Sequence, residues 1–155
     1  METKPTHEQA ELQLKLYDLR REERLRKARD WFFKNFFAET LEDAMKVAPM
    51  GTEQGAFFMM VVSYWDQACA MLNHGLLNED LFFETTGEFV GVWERIKPTI
   101  PEARQRFANK QFVANLEKAA ERFEAWSEKR SPGQMAAMRQ MMKMMQSQQA
   151  GAAKA

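Results

Sequence analysis

The chain has 155 residues, with 22 basic and 22 acidic side chains and a formal net charge of zero. This length suits one domain that buries a substantial hydrophobic core. The single cysteine, Cys69, excludes an intramolecular disulfide, and the polar start METKPTHEQAEL shows no export signal. We therefore expect a cytoplasmic protein.

Charge is unevenly distributed along the chain. Residues 47–94 contain seven acids and neither Lys nor Arg, whereas residues 95–155 carry twelve bases against five acids. Solvated faces explain such runs most simply, although the two segments can also attract each other within or between copies. The stretch RREERLRKAR holds six bases, but Glu22 and Glu23 interrupt them. This pattern favours a salt-bridged helix surface and argues against nucleic-acid binding.

Strong helix formers dominate the composition, which predicts an all-α fold. The first helical stretch covers residues 10–39 and is either one long helix or two with a kink near Asp18. Its C-terminal end is apolar over a wide arc through Phe32 and Phe36, so we expect it to be deeply packed.

Capping residues mark the next helices. Thr40 begins a short helix that ends before Pro49. Thr52 caps a long core helix from Glu53 to His74, which Gly75 terminates. Its apolar run, GAFFMMVVSYW, is far shorter than the roughly 20 residues that a membrane helix needs.

Asn78 is a good N-cap for a helix that reaches Pro98, with a bend near Thr86 and Gly87. Pro101 then starts a helix that the pattern extends through residue 130. Ser131 and Pro132 repeat this start signal for the tail helix. We expect an irregular bundle of five to seven helices, divided into a helical domain (1–130), a Met-rich amphipathic helix (131–148) and a disordered tail (149–155).

Half of the 12 methionines lie in the segment QMAAMRQMMKMMQSQQ, where they cover about half of a helical wheel. The face can pack on its own domain, contact another copy or a partner helix, or dock on a membrane surface, and thioethers also permit Cu(I). A membrane surface is less favoured because aromatic anchors are missing. The candidate contact residues are Met135, Met138, Met141, Met142 and Met145, and Met144 belongs to the same apolar face.

Asp66 stands out within the most apolar helix. A buried carboxylate either has chemical use or is paired with a base, and Arg24 and Arg29 of the first stretch are the candidate partners. We predict the structural pair. Cys69 and His74 lie on different faces of their helix and do not form a zinc site, so we expect no metal or cofactor. The sequence shows no nucleophile or phosphate-loop motif, and we predict that the protein is not an enzyme.

Three stretches resemble a bacterial family of small all-helical domains of unknown function: LYDLRREERLRKARDWFF, a hydrophobic helix ending in NHGLLNEDLFFE, and FVGVWERIKPTI followed by Arg104. The resemblance covers residues 12–106. The matching positions are Arg24, Ala28, Arg29, Gly75, Leu76, Leu77, Asp80, Trp93 and Pro98. It implies a helical fold but no activity and no catalytic residues. Relatives often carry a membrane-spanning segment ahead of this domain, and the polar residues ahead of the match contain none.

These observations lead to one functional hypothesis. The protein is expected to be a non-enzymatic interaction or scaffold module that contacts itself or a protein partner through the Met-rich helix. The alternative is a peripheral membrane protein that docks by the same helix. A Cu(I) site on the methionines and an enzyme using Asp66 are weaker alternatives.

Overall fold

The computed structural model describes residues 3–155, and every regular element in that range is helical. The all-α prediction is therefore confirmed. A short 3-10 helix, Lys97–Thr99, joins two of the α-helices. The α-helices are α1 (His7–Arg20), α2 (Glu23–Asn35), α3 (Leu41–Val47), α4 (Glu53–Asn73), α5 (Glu79–Thr85), α6 (Glu88–Ile96), α7 (Ile100–Arg106), α8 (Ala114–Arg130) and α9 (Gln134–Ala153).

The number of described helices exceeds the predicted five to seven because three long stretches are broken. The bend expected near Thr86 and Gly87 separates α5 from α6. The expected kink in the first stretch is a full break between α1 and α2. The helix predicted from Pro101 to residue 130 is wrong, since residues 107–113 are not helical. Two residues of this segment, Ala108 and Val113, have positive φ angles of 49° and 51°, which no continuous α-helix accommodates.

Three of the predicted caps are present, whereas the start signal at Ser131 and Pro132 is not used, since α9 begins at Gln134 after Gly133 and has no side-chain cap. The side-chain oxygens of Thr40, Thr52 and Asn78 each accept a hydrogen bond from the backbone N–H three residues later. Gly75 has a φ of 75° and follows the last turn of α4, as the glycine stop signal predicts. Local side-chain chemistry therefore fixes these helix ends.

The core of the fold lies where α2 packs against α4. Phe32 and Phe36 stack with their ring centroids 5.2 Å apart, and Phe36 also lies 4.9 Å from Phe58 of α4. Val61 and Val62 of α4 are fully buried. Burying this apolar surface is the main source of stability in such a fold.

Arg95 is a buried cation that closes the end of α2. One of its guanidinium nitrogens donates to the backbone carbonyls of Phe33 and Phe36, at 3.1 and 2.9 Å. The guanidinium also lies 4.1 Å from the ring centre of Phe37. Burial lowers the pKa of Arg95 below its ordinary value. The C-terminal carbonyls of a helix carry partial negative charge, and this arginine neutralises it.

The described residues form two compact units, one ending at Ala120 and one covering Glu121–Ala155. In the second unit α9 continues to Ala153, past the predicted end of the Met-rich helix at residue 148. The division into segments 1–130, 131–148 and 149–155 stays a prediction. Within residues 3–155, no helix combines the length and the apolar character required to cross a membrane.

Gly55, in the first turn of α4, is required by close packing. A Cβ atom there would lie 2.2 Å from the carbonyl oxygen of Pro49, whereas a Cβ at Gly91 in α6 would meet its nearest atom at 3.7 Å. We expect Gly55→Ala to lower the free energy of unfolding by about 1–3 kcal/mol, as overpacking does. The matched control Gly91→Ala should raise it by about 0.4–1 kcal/mol.

Urea unfolding followed by circular dichroism measures both changes. Equal effects of the two substitutions would show that the Pro49 carbonyl does not constrain α4.

Candidate functional sites

The carboxylate of Glu88, at the start of α6, accepts hydrogen bonds from side chains of three other helices. Arg29 of α2 donates from Nε to Oε1 at 2.6 Å and from Nη2 to Oε2 at 2.7 Å. Arg20 of α1 donates from Nη2 to Oε2 at 2.5 Å, and Trp65 of α4 donates from Nε1 to Oε1 at 3.1 Å. One carboxylate thus joins four helices. We call these four residues the Glu88 cluster.

The electrostatics of the Glu88 cluster keep its groups charged. Burial favours the neutral acid, but the hydrogen bonds from Arg29 and Arg20 outweigh burial and lower the pKa of Glu88 below 4.5. The hydrogen bond with Glu88 likewise raises the pKa of Arg29. A carboxylate engaged by two guanidiniums is a structural anion and a poor proton-transfer group.

Tyr64 borders the same cluster. Its hydroxyl donates a hydrogen bond to the backbone carbonyl of Leu16 in α1. Burial raises the pKa of Tyr64 to about 12. The charges that act on this hydroxyl are Arg20, Glu88 and Arg29, so the electrostatic surroundings of Tyr64 are those of the cluster.

The predicted pair between Asp66 and Arg24 or Arg29 is not formed. Arg29 is engaged by Glu88, and Arg24 is exposed on α2. Asp66 accepts a hydrogen bond through Oδ1 from the backbone N–H of Leu116, at 2.9 Å. It therefore has the structural role that was expected but a different partner.

This partner follows from the start of α8. Val113 precedes the helix, and its side chain has no oxygen with which to cap the unpaired N–H groups of the first turn. Asp66 supplies the carboxylate from α4 instead, and its negative charge is favourable at the positive end of the helix dipole. Asn73 reinforces the junction by donating to the backbone and side-chain oxygens of Asn115, at 3.2 and 3.1 Å.

The methionines of α9 divide into two groups. Met135 is buried with 3% of its surface exposed, and Met138 and Met142 are half-buried. Met135 therefore does not lie on an exposed contact face, contrary to its place among the candidates. The exposed group consists of Met141, Met144 and Met145, with exposed fractions of 64%, 57% and 47%. We call this group the methionine stripe.

The described residues of the first unit line a pair of concavities that could hold a ligand. The larger one, the apolar groove, has a volume of about 720 Å³ and lies between α3, α4 and the segment that follows α7. Nearly all of its lining is apolar, and Met50, Met59 and Phe107 on its edges are exposed. Arg104 holds one wall by donating from Nε to the carbonyl of Phe112, at 3.0 Å.

The smaller concavity, the α1 cleft, has a volume of about 520 Å³. Leu14 and Tyr17 of α1 form one wall, and Leu81 and Phe82 of α5 form another. Arg20, Glu88 and the aromatic side chains of Tyr64 and Trp65 also line it, together with polar groups such as Gln13 and Thr85. The α1 cleft therefore combines apolar walls with the charged groups of the Glu88 cluster.

Comparison with known protein families identifies a domain that covers most of the chain. Residues 5–123 match a domain of unknown function, DUF4760. The chain belongs to this family. The match extends on both sides of the 12–106 range found by inspection, and α9 lies outside it. No curated protein and no solved structure matches the chain. The bacterial origin and membrane tethering of relatives stay predictions.

Sequence inspection missed Glu88 and Arg95. Glu88 follows Gly87 at a helix start, where an acid is common, so nothing local distinguishes it from Glu79 or Glu53. The usable signal for Arg95 was its place in the largely apolar stretch VGVWERI, where a base on the buried face of a helix requires a polar partner.

Removing the charge of Glu88 should destabilise the fold. Glu88→Gln leaves two guanidiniums without their shared anion, and we expect a loss of about 3 kcal/mol in the free energy of unfolding. The control Glu23→Gln removes an exposed pair with Lys27 and should change stability by less than about 1 kcal/mol.

The difference between wild type and Glu88→Gln should depend on pH. Because the folded pKa of Glu88 is below 4.5, its contribution is fully present above the unfolded pKa and is lost as the pH falls through the folded pKa. Denaturant unfolding at a series of pH values measures this. A difference that stays constant or grows as the solution is acidified would contradict the role assigned to Glu88.

Proposed function

We propose that this protein is a non-enzymatic interaction module whose contact surface is the methionine stripe of α9. The observation that carries the proposal is the exposure of Met141, Met144 and Met145 on one side of a helix. Their spacing of i, i+3 and i+4 is the anchor pattern of a helix that lies in an apolar groove of another chain. Met135 is buried and Met138 and Met142 are half-buried, so these three do not belong to the stripe.

The chemistry of methionine suits this contact. Its side chain is flexible and polarizable, so a stripe of methionines adapts to irregular apolar surfaces. Arg139 faces Glu124 of α8 in a bidentate ion pair with both distances at 2.9 Å. This pair joins α9 to α8 within the second unit. The stripe is thus presented on an anchored helix.

The polar groups of the first unit support a non-enzymatic role. Glu88 is engaged by four donors, and Asp66 caps α8. Both carboxylates are accounted for by structural contacts, and an acid or base for catalysis needs freedom to exchange its proton. The cytoplasmic location belongs to the same proposal, and its support is the single buried cysteine.

The stripe should mediate association between copies of the chain. In the full-length triple variant Met141→Gln, Met144→Gln and Met145→Gln, we expect a monomer at concentrations where the wild type forms oligomers, because the apolar anchors are lost. The control Gln140→Ala with Ser147→Ala changes the polar side of α9 and should associate like the wild type. Light scattering after size-exclusion chromatography measures the masses.

Circular dichroism should show equal helix content in all three proteins. If the triple variant had the same mass as an oligomeric wild type, the stripe would not be part of the interface. A wild type that is monomeric throughout and floats with liposomes, while the triple variant does not, would replace the proposal with the peripheral-membrane alternative.

A further inference from the structure

The α1 cleft has features that neither the fold nor the proposed contact of α9 requires. Its volume of about 520 Å³ lies within the range of small-molecule sites. Such sites are usually apolar with a few convergent polar groups, and the α1 cleft has this composition. Leu14 and Tyr17 remain largely exposed at its rim, which leaves apolar surface available for a ligand.

The charged side chains in the lining of the α1 cleft are Arg20 and Glu88. Arg29 is not part of the lining and pairs with Glu88 through two hydrogen bonds, so Arg20 shares this carboxylate with a second cation. These three are also the charges that act on the Tyr64 hydroxyl in the lining. Because two arginines share one negative charge, the positive charge of Arg20 is only partly compensated, which favours an anion in the cleft and disfavours a cation.

Arg20 is the group that can meet such an anion. Arg29 directs Nε and Nη2 to Glu88 and Nη1 to the carbonyl of Arg20, and its side chain is 16% exposed. Arg20 directs Nη2 to Glu88, and its side chain is 28% exposed. A guanidinium has five N–H donors, so Arg20 retains donors that a carboxylate can accept.

We propose that the α1 cleft binds a small amphiphilic monoanion, an aliphatic or aromatic body that carries one carboxylate. The carboxylate pairs with Arg20, and the body lies between Leu14, Tyr17, Leu81 and Phe82. Glu88 holds Arg20 in place and disfavours ligands with a second negative charge. This site is independent of the methionine stripe, since all of its residues lie in the first unit.

Three probes with the same chain length test the headgroup: octanoate, octanol and octylamine. The full-length protein is titrated with each probe, and the indole N–H signal of Trp65 is followed by NMR because Trp65 lines the cleft and donates to Glu88. Octanoate should bind saturably and shift this signal, octanol should bind at least about tenfold more weakly, and octylamine more weakly still.

Two variants test the residues. Arg20→Gln should weaken octanoate binding about tenfold and leave octanol binding unchanged, because it removes the carboxylate partner and leaves the apolar walls. Arg24→Gln removes an exposed arginine of α2 outside the cleft and should change neither affinity. Arg20→Lys should recover part of the octanoate binding. The dispersion of the NMR spectrum reports whether each variant is folded.

Several results would overturn the proposal. Equal binding of octanoate and octanol would show an apolar pocket without anion recognition. Octanoate binding that survives Arg20→Gln, or that leaves the Trp65 signal unmoved, would place the ligand elsewhere. A Trp65 shift produced by phosphatidylserine vesicles and not by free octanoate would make the cleft a contact with anionic lipid surfaces.

Discussion

The shared ion pair at Glu88 is the interaction on which the arrangement of the first unit depends. Its carboxylate receives Arg20 from α1, Arg29 from α2 and the Trp65 indole from α4. Taking these charges out of water is unfavourable. The hydrogen bonds offset this cost because each carboxylate oxygen accepts two of them. Without Glu88, two guanidiniums would repel each other at the place where α1 meets the core. The position of α1 is therefore set by charge as much as by apolar packing.

That constraint explains why the α1 cleft stays open. α1 is held at its C-terminal end by Arg20, one turn earlier by the hydrogen bond from Tyr64 to the Leu16 carbonyl, and at its middle by Gln13, which donates to Thr85 at 2.7 Å. These polar contacts hold α1 at separate positions along the helix, and Leu14 and Tyr17 remain exposed. A helix held in this way borders a concavity. The same residues thus connect the stability of the fold with its proposed ligand site.

Local features of the fold could be predicted from the sequence, and long-range ones could not. The caps at Thr52 and Asn78 and the stop at Gly75 involve residues at most a few positions apart. The pair Arg29–Glu88 joins residues 59 positions apart, and the bond from Asp66 to Leu116 joins residues 50 apart. The charge and burial patterns of the sequence do not specify with which acidic residue an arginine such as Arg29 pairs. The break before α8 was missed because FANKQFV contains neither Gly nor Pro, although Ala108 and Val113 have positive φ values. The segment makes a contact that joins residues eight positions apart, the hydrogen bond from Arg104 to the Phe112 carbonyl.

The central claim is that Glu88 holds α1 against the other helices. Native-state hydrogen exchange tests it most directly, by comparing backbone amide protection in wild type and Glu88→Gln. The account predicts that the variant loses far more protection in α1 (His7–Arg20) than in α3 (Leu41–Val47), none of whose side chains bonds to Glu88. Unchanged protection in α1, or an equal loss in both helices, would contradict it.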